Sequence, residues 1–222
     1  MQMTEAWQIA IWFCTCVFVF LFSIFLHEVG HGFASKIRGF SVSTGFNRVG
    51  NVHKFPKELG FRPIEAQSFL LDFGVPITLM LTVVFTLMLM LMKPTNEYVA
   101  KFFSAVALCN AFLRIVPCLL AFLIPIFTKK AHIEDEVGTG LLLVERYGKN
   151  WLKMLPILFS LIVSIVCYSI VMIRMHNLLP AMKILTNLSV WSAFVIAFIT
   201  ANYLDGIFRI NWIAKETVGK KH

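Results

Sequence analysis

Five apolar runs, at about residues 7 to 33, 67 to 92, 99 to 127, 154 to 175 and 182 to 204, leave the chain few ways to fold. Crossing the roughly 30 Å hydrocarbon core of a bilayer takes a helix of about 20 residues, a length each run meets. In lipid such a run must satisfy its backbone polar groups internally, which a helix does alone. The expected fold is an all-α polytopic membrane protein with about five transmembrane helices. Hydrophobic residues make up 58% of the sequence and charged residues 14%, a balance that a single soluble core could not hide. The first run has no basic segment before it and reads as a retained helix, not a cleaved leader.

The polar segments between the runs organise the rest. Residues 39 to 66 contain Ser41-Val42-Ser43-Thr44 with Gly45, Gly50 and Gly60, which predicts a small strand-containing loop after the first helix. Only a tight connection, Pro94 to Glu97, separates spans two and three, so these form an antiparallel hairpin. Residues 128 to 153 hold a helical stretch from about His132 to Tyr147. With no repeat or linker, residues 1–222 read as a single integral membrane domain. Its core covers about 7–148, a two-helix segment about 149–205, and a cytoplasmic tail 206–222.

The formal charge of +8 raises the question of nucleic acid, and the placement of the charges answers it. No basic stripe is interleaved with exposed aromatics, and the phenylalanines cluster mainly inside the apolar runs, which argues against nucleic-acid binding. Lys36, Arg38, Arg48, Lys54, Lys57 and Arg62 follow the first span, whereas the second connection holds only Lys93. Lys129, Lys130, Arg146, Lys149 and Lys153 repeat the bias after span three, and Arg209, Lys215, Lys220 and Lys221 in the tail. The positive-inside rule then predicts a cytoplasmic face for these segments and an outside N-terminus, a topology that fits a plasma membrane, the expected location, as well as an organelle. Cys14, Cys16, Cys109, Cys118 and Cys167 all fall in apolar stretches without a thiolate metal spacing, and read as small buried hydrophobes.

At the end of the first run stands His27-Glu28-Val29-Gly30-His31. Positions i and i+4 share a helix face, so both imidazoles can reach one cation, while Glu28 lies about 100° around the axis. A glutamate there suits a general base acting on water activated by the metal. Catalytic zinc usually takes three protein ligands, so another must come from the same membrane side. Asp135, in Glu134-Asp135-Glu136, and Asp205, in Leu204-Asp205-Gly206, both qualify by topology.

His27-Glu28-Val29-Gly30-His31-Gly32 closing an apolar helix, followed by a basic loop, resembles the site-2 protease family of intramembrane zinc metalloproteases. Gly74-Val75-Pro76 opening span two is similar to that family's Gly-Pro element. Asn110, Pro117 and Pro125, then Asp135 and a helix, follow the family's order of elements over about residues 7 to 148. The resemblance implies Zn2+ held by His27, His31 and Asp135, Glu28 as catalytic base, and membrane-anchored protein substrates. Asp205 carries the family's literal Leu-Asp-Gly tripeptide two spans late, and stands as the alternative ligand. The alternative function is a non-catalytic metal-binding membrane protein, either a transporter subunit or a degenerate protease homologue.

Other polar residues have structural expectations. Arg114, one turn from Asn110, needs a carboxylate or a wet cavity at membrane depth, with Asp72, Glu28 or substrate as partners. Glu134 and Glu136 read as a solvated acidic patch, and His53 and His132 as loop histidines. Gly74 and Pro76 suit close helix packing or a kink.

Overall fold

The computed structural model describes residues 5–37, 41–46, 49–51, 74–128, 135–178 and 183–213. Helix α1 (Glu5–Ile37) leads into strands β1 (Val42–Thr44) and β2 (Val49–Asn51). Helices α2 (Gly74–Leu91), α3 (Glu97–Thr128) and α4 (Asp135–Tyr147) follow, then a 3-10 turn at Asn150–Met154. Helices α5 (Leu155–Leu178) and α6 (Lys183–Asp205) and strand β3 (Ile210–Trp212) complete the order. Among the described residues five helices, all but α4, are long and apolar enough to cross a membrane. The polytopic helical fold is therefore as expected. His53, Asp72, His132 and Glu134 lie outside the described residues, as do 52–66 of the polar loop.

Helix α1 sets the position of the metal motif. Its 33 residues span about 50 Å, well beyond the roughly 30 Å hydrocarbon core, so at least one of its ends passes the apolar layer. At the other connection Asn96 caps α3, its side-chain oxygen accepting from the backbone N–H of Tyr98 at 2.9 Å and Val99 at 3.3 Å. Helix α3 is central, packing against α1, α2 and α5, while α6 lies along α1.

Without a hydrophobic drive between helices in lipid, close packing rests on small residues and on paired polar groups. Ala193, Ala197 and Ala201 recur every fourth residue on α6 and are fully buried. Thr78, Thr82 and Thr86 form the matching buried stripe on α2. Their hydroxyls donate to carbonyls of their own helix, Thr82 to Thr78 at 2.9 Å and Thr86 to Thr82 at 2.7 Å, so no hydroxyl in the stripe is stranded. Phe20 of α1 meets Phe112 of α3 and Phe194 of α6 edge to face, at 5.9 and 5.5 Å between ring centroids. Phe18, Phe22, Met80 and Met90 point outward. Cys16, Cys109, Cys118 and Cys167 are buried, but Cys14 is exposed. Two residues from Cys16, it lies about 200° around the helix, on the outer face.

The predicted strand-containing loop is present, with β1 and β2 antiparallel and Ser43 opposite Gly50. A third strand joins it. Residues 210–212, expected to be free tail, pair antiparallel with β1 so that Ser43 faces Asn211 and the sheet order is β2-β1-β3. Side-chain bonds hold the new strand. Arg209 donates from Nε to the Ser43 hydroxyl at 3.0 Å and from Nη2 to the Ser43 carbonyl at 2.9 Å. The Trp212 indole donates to the Thr44 hydroxyl at 2.8 Å. That indole also lies against Gly32 of α1, where any Cβ would collide with it, so the sheet is seated directly beside the metal motif.

Candidate metal centre

Helix periodicity brings the two histidines together, and the start of α4 adds a carboxylate. Asp135 Oδ2 lies 2.9 Å from His27 Nε2 and 3.3 Å from His31 Nε2, and the two Nε2 atoms are 2.9 Å apart. The imidazoles meet edge to face with centroids 4.4 Å apart. Gly74, first residue of α2, closes the third side, because a Cβ there would fall into both imidazoles.

Hydrogen bonds between neutral imidazoles and an ionised Asp135 cannot satisfy all three contacts at once. If both Nε2 atoms carried hydrogen to donate to Asp135, the two N–H groups would oppose each other across 2.9 Å. If one lacked hydrogen, its approach to the carboxylate would set lone pair against lone pair. A single cation among the three atoms satisfies every lone pair. Tetrahedral zinc with bonds of about 2.0 to 2.1 Å sets its donors about 3.3 Å apart, close to the separations found. Two imidazoles and one carboxylate also leave a fourth position open, as catalytic zinc requires. The donor set therefore fits the metal. Both Nδ1 atoms would then carry the proton, and they are buried without a partner among the described residues. Burial raises the Asp135 pKa, but the facing imidazoles outweigh it and hold the carboxyl well below the usual carboxylate range.

Glu28 is buried one residue from His27, and its Oε2 has no hydrogen-bond partner among the described residues. A carboxylate oxygen left open beside such a cluster is placed to bind water or a substrate N–H.

Two sequence expectations require correction here. Glu136 is only 2% exposed and not part of a solvated patch. Its Oε1 takes a bond from Arg114 Nη1 at 3.3 Å, so Arg114, itself 6% exposed, has a partner that was not among those expected. The physical reason is phase, since successive residues on α4 diverge by about 100° and Glu136 turns inward when Asp135 faces the histidines. Asn110, one turn before Arg114, donates to the Ser23 hydroxyl at 3.0 Å and to the Val106 carbonyl at 2.9 Å. Ser23 is itself one turn before His27, so the α1 stripe Ser23, His27, His31 runs beside the α3 stripe Asn110, Arg114.

Asp205 is not one of the three clustered groups. It pairs with Arg209 at 2.9 Å and, through that guanidinium, ties the end of α6 to β1. Among the described residues the one group of three or more His, Cys, Asp or Glu able to hold a metal is His27, His31 and Asp135. Compared with family models, with curated proteins and with solved structures, the chain matches none of them.

Proposed function

We propose that this chain is an intramembrane zinc metalloprotease of site-2 protease type, hydrolysing a peptide bond in or near the transmembrane segment of a membrane-anchored protein. The observation that carries the reading is the meeting of His27, His31 and Asp135 from α1 and α4, with Glu28 beside them, its Oε2 without a partner among the described residues. Zinc bound there would act as a Lewis acid and make water nucleophilic near neutral pH. Glu28 takes the proton from the attacking water and returns it to the leaving amine. Gly74 keeps α2 close and limits the space around the imidazoles. His27, Glu28 and His31 are buried, and the lower dielectric around them strengthens these interactions.

A transmembrane helix hides its carbonyls in its own hydrogen bonds, so the scissile segment has to be extended when it reaches Glu28. The sheet offers a surface for such a segment, and among the described residues its outer strands are β2 and β3, since β1 is paired on both sides. The distribution of Lys and Arg supports a metal centre near the cytoplasmic face of the membrane.

Co-expression of single-span substrates with the wild type and with Glu28→Gln tests the reading. Cleavage should fall by at least about 1000-fold in the variant while zinc is retained, in line with loss of a general base acting at the metal. Cleavage that survives the substitution would contradict the mechanism. Zinc retained by the wild type with no cleavage of any substrate would favour the non-catalytic metal-binding alternative.

A further inference from the structure

We infer that the buried Arg114–Glu136 ion pair delivers Asp135 to the two histidines, making Arg114 and Glu136 positioning residues of the metal centre. The inference rests on the proposed metal site and adds to it the question of how its third ligand is held. Asp135 is the first residue of α4, a helix that packs chiefly against the 3-10 turn and α5 and not along α1. Its first turn is therefore joined to the rest of the bundle by side chains. Two adjacent carboxylates do this in different directions, Asp135 to His27 and His31 on α1 and Glu136 to Arg114 on α3.

Depth makes the arrangement specific. The Ser23–Asn110 bond pins α1 to α3 at one level, and by the count of crossings both helices run toward the same face. Four residues further along each helix, about 6 Å on, come His27 and Arg114. The guanidinium is thus held at the level of the histidines by a bond that does not involve it. Once Glu136 binds that fixed cation, the neighbouring Asp135 has little choice of position.

An ion pair kept only for stability is a poor explanation. Charges buried this deeply cost much of what their attraction returns, and well-packed apolar side chains of similar size commonly serve stability as well or better. This pair is also incompletely bonded, because Arg114 Nε and Glu136 Oε2 have no partner among the described residues. What apolar side chains cannot supply is direction. A charged pair fixes the rotation and height of the first turn of α4, and partners behind metal ligands typically contribute 10-fold to 100-fold in metal affinity.

Co2+ titration of the full-length protein in detergent, read from the visible absorption of a tetrahedral ion, tests this with Arg114→Gln, Glu136→Gln and the double variant Arg114→Met with Glu136→Met. The single variants should bind Co2+ about 10-fold to 100-fold more weakly. Because the singles leave a buried charge and can unfold, the double variant is decisive. It should lose the same affinity while its metal-free thermal midpoint stays at or above that of the wild type. A double variant that binds Co2+ as the wild type does would overturn the inference and leave the metal site standing. A wild type that takes up no Co2+ would overturn the metal site and this inference with it.

Discussion

Gly74 shows how little room the cluster has. With no side chain, it lets the first turn of α2 rest on both imidazoles, and a methyl group there would displace His31, His27 or the helix itself. Gly74→Ala is expected to lower zinc affinity at least about 10-fold with the fold intact, measured as zinc retained against a competing chelator. His27, Glu28 and His31 are legible from sequence because one helix carries them at a spacing that the helix itself converts into proximity. Gly74 was legible only as a packing glycine, since its neighbours come from another helix. Glu136 and Arg114 were harder still. Their pairing depends on the phase of α4, and nothing in Glu134-Asp135-Glu136 shows which carboxylate turns inward until the helix start is known.

The spans follow from run length alone, because a helix is the one local structure that satisfies an isolated apolar segment in lipid. Strand β3 has no comparable constraint. Its signal is the short alternation Ile210-Asn211-Trp212, apolar, polar, apolar, and three residues do not separate a strand from an irregular tail. What places it is a set of contacts to β1 more than 160 residues away, from Arg209 and Trp212 to Ser43 and Thr44. Arg209→Ala removes the ion pair to the buried Asp205 and both bonds to Ser43. Since the guanidinium is one-third exposed, the expected cost is about 1 to 3 kcal/mol, seen as a lower thermal midpoint with zinc content unchanged. The same result would separate the two aspartates, Asp205 holding the sheet and Asp135 facing the histidines.

Across the whole molecule, order of elements and tripeptide identity point to different aspartates, and the bundle sets Asp135 beside the histidines. Leu204-Asp205-Gly206 has the literal signature, yet α6 carries it to the sheet, whereas Asp135 arrives beside α1 because α3 returns the chain to the motif end of the bundle. A bundle is assembled by which helix ends share a face, and a chance match of three residues has no bearing on that. The parallel run of α1 and α3, joined at Ser23 and Asn110, then brings α4 to the histidines. In the proposed centre His27, His31 and Asp135 together hold one zinc ion. Zinc per chain, measured on purified wild type, Asp135→Ala and Asp205→Ala, decides whether they do. The expected result is one zinc in the wild type and in Asp205→Ala, with loss in Asp135→Ala. Zinc kept by Asp135→Ala, or lost only from Asp205→Ala, would contradict it.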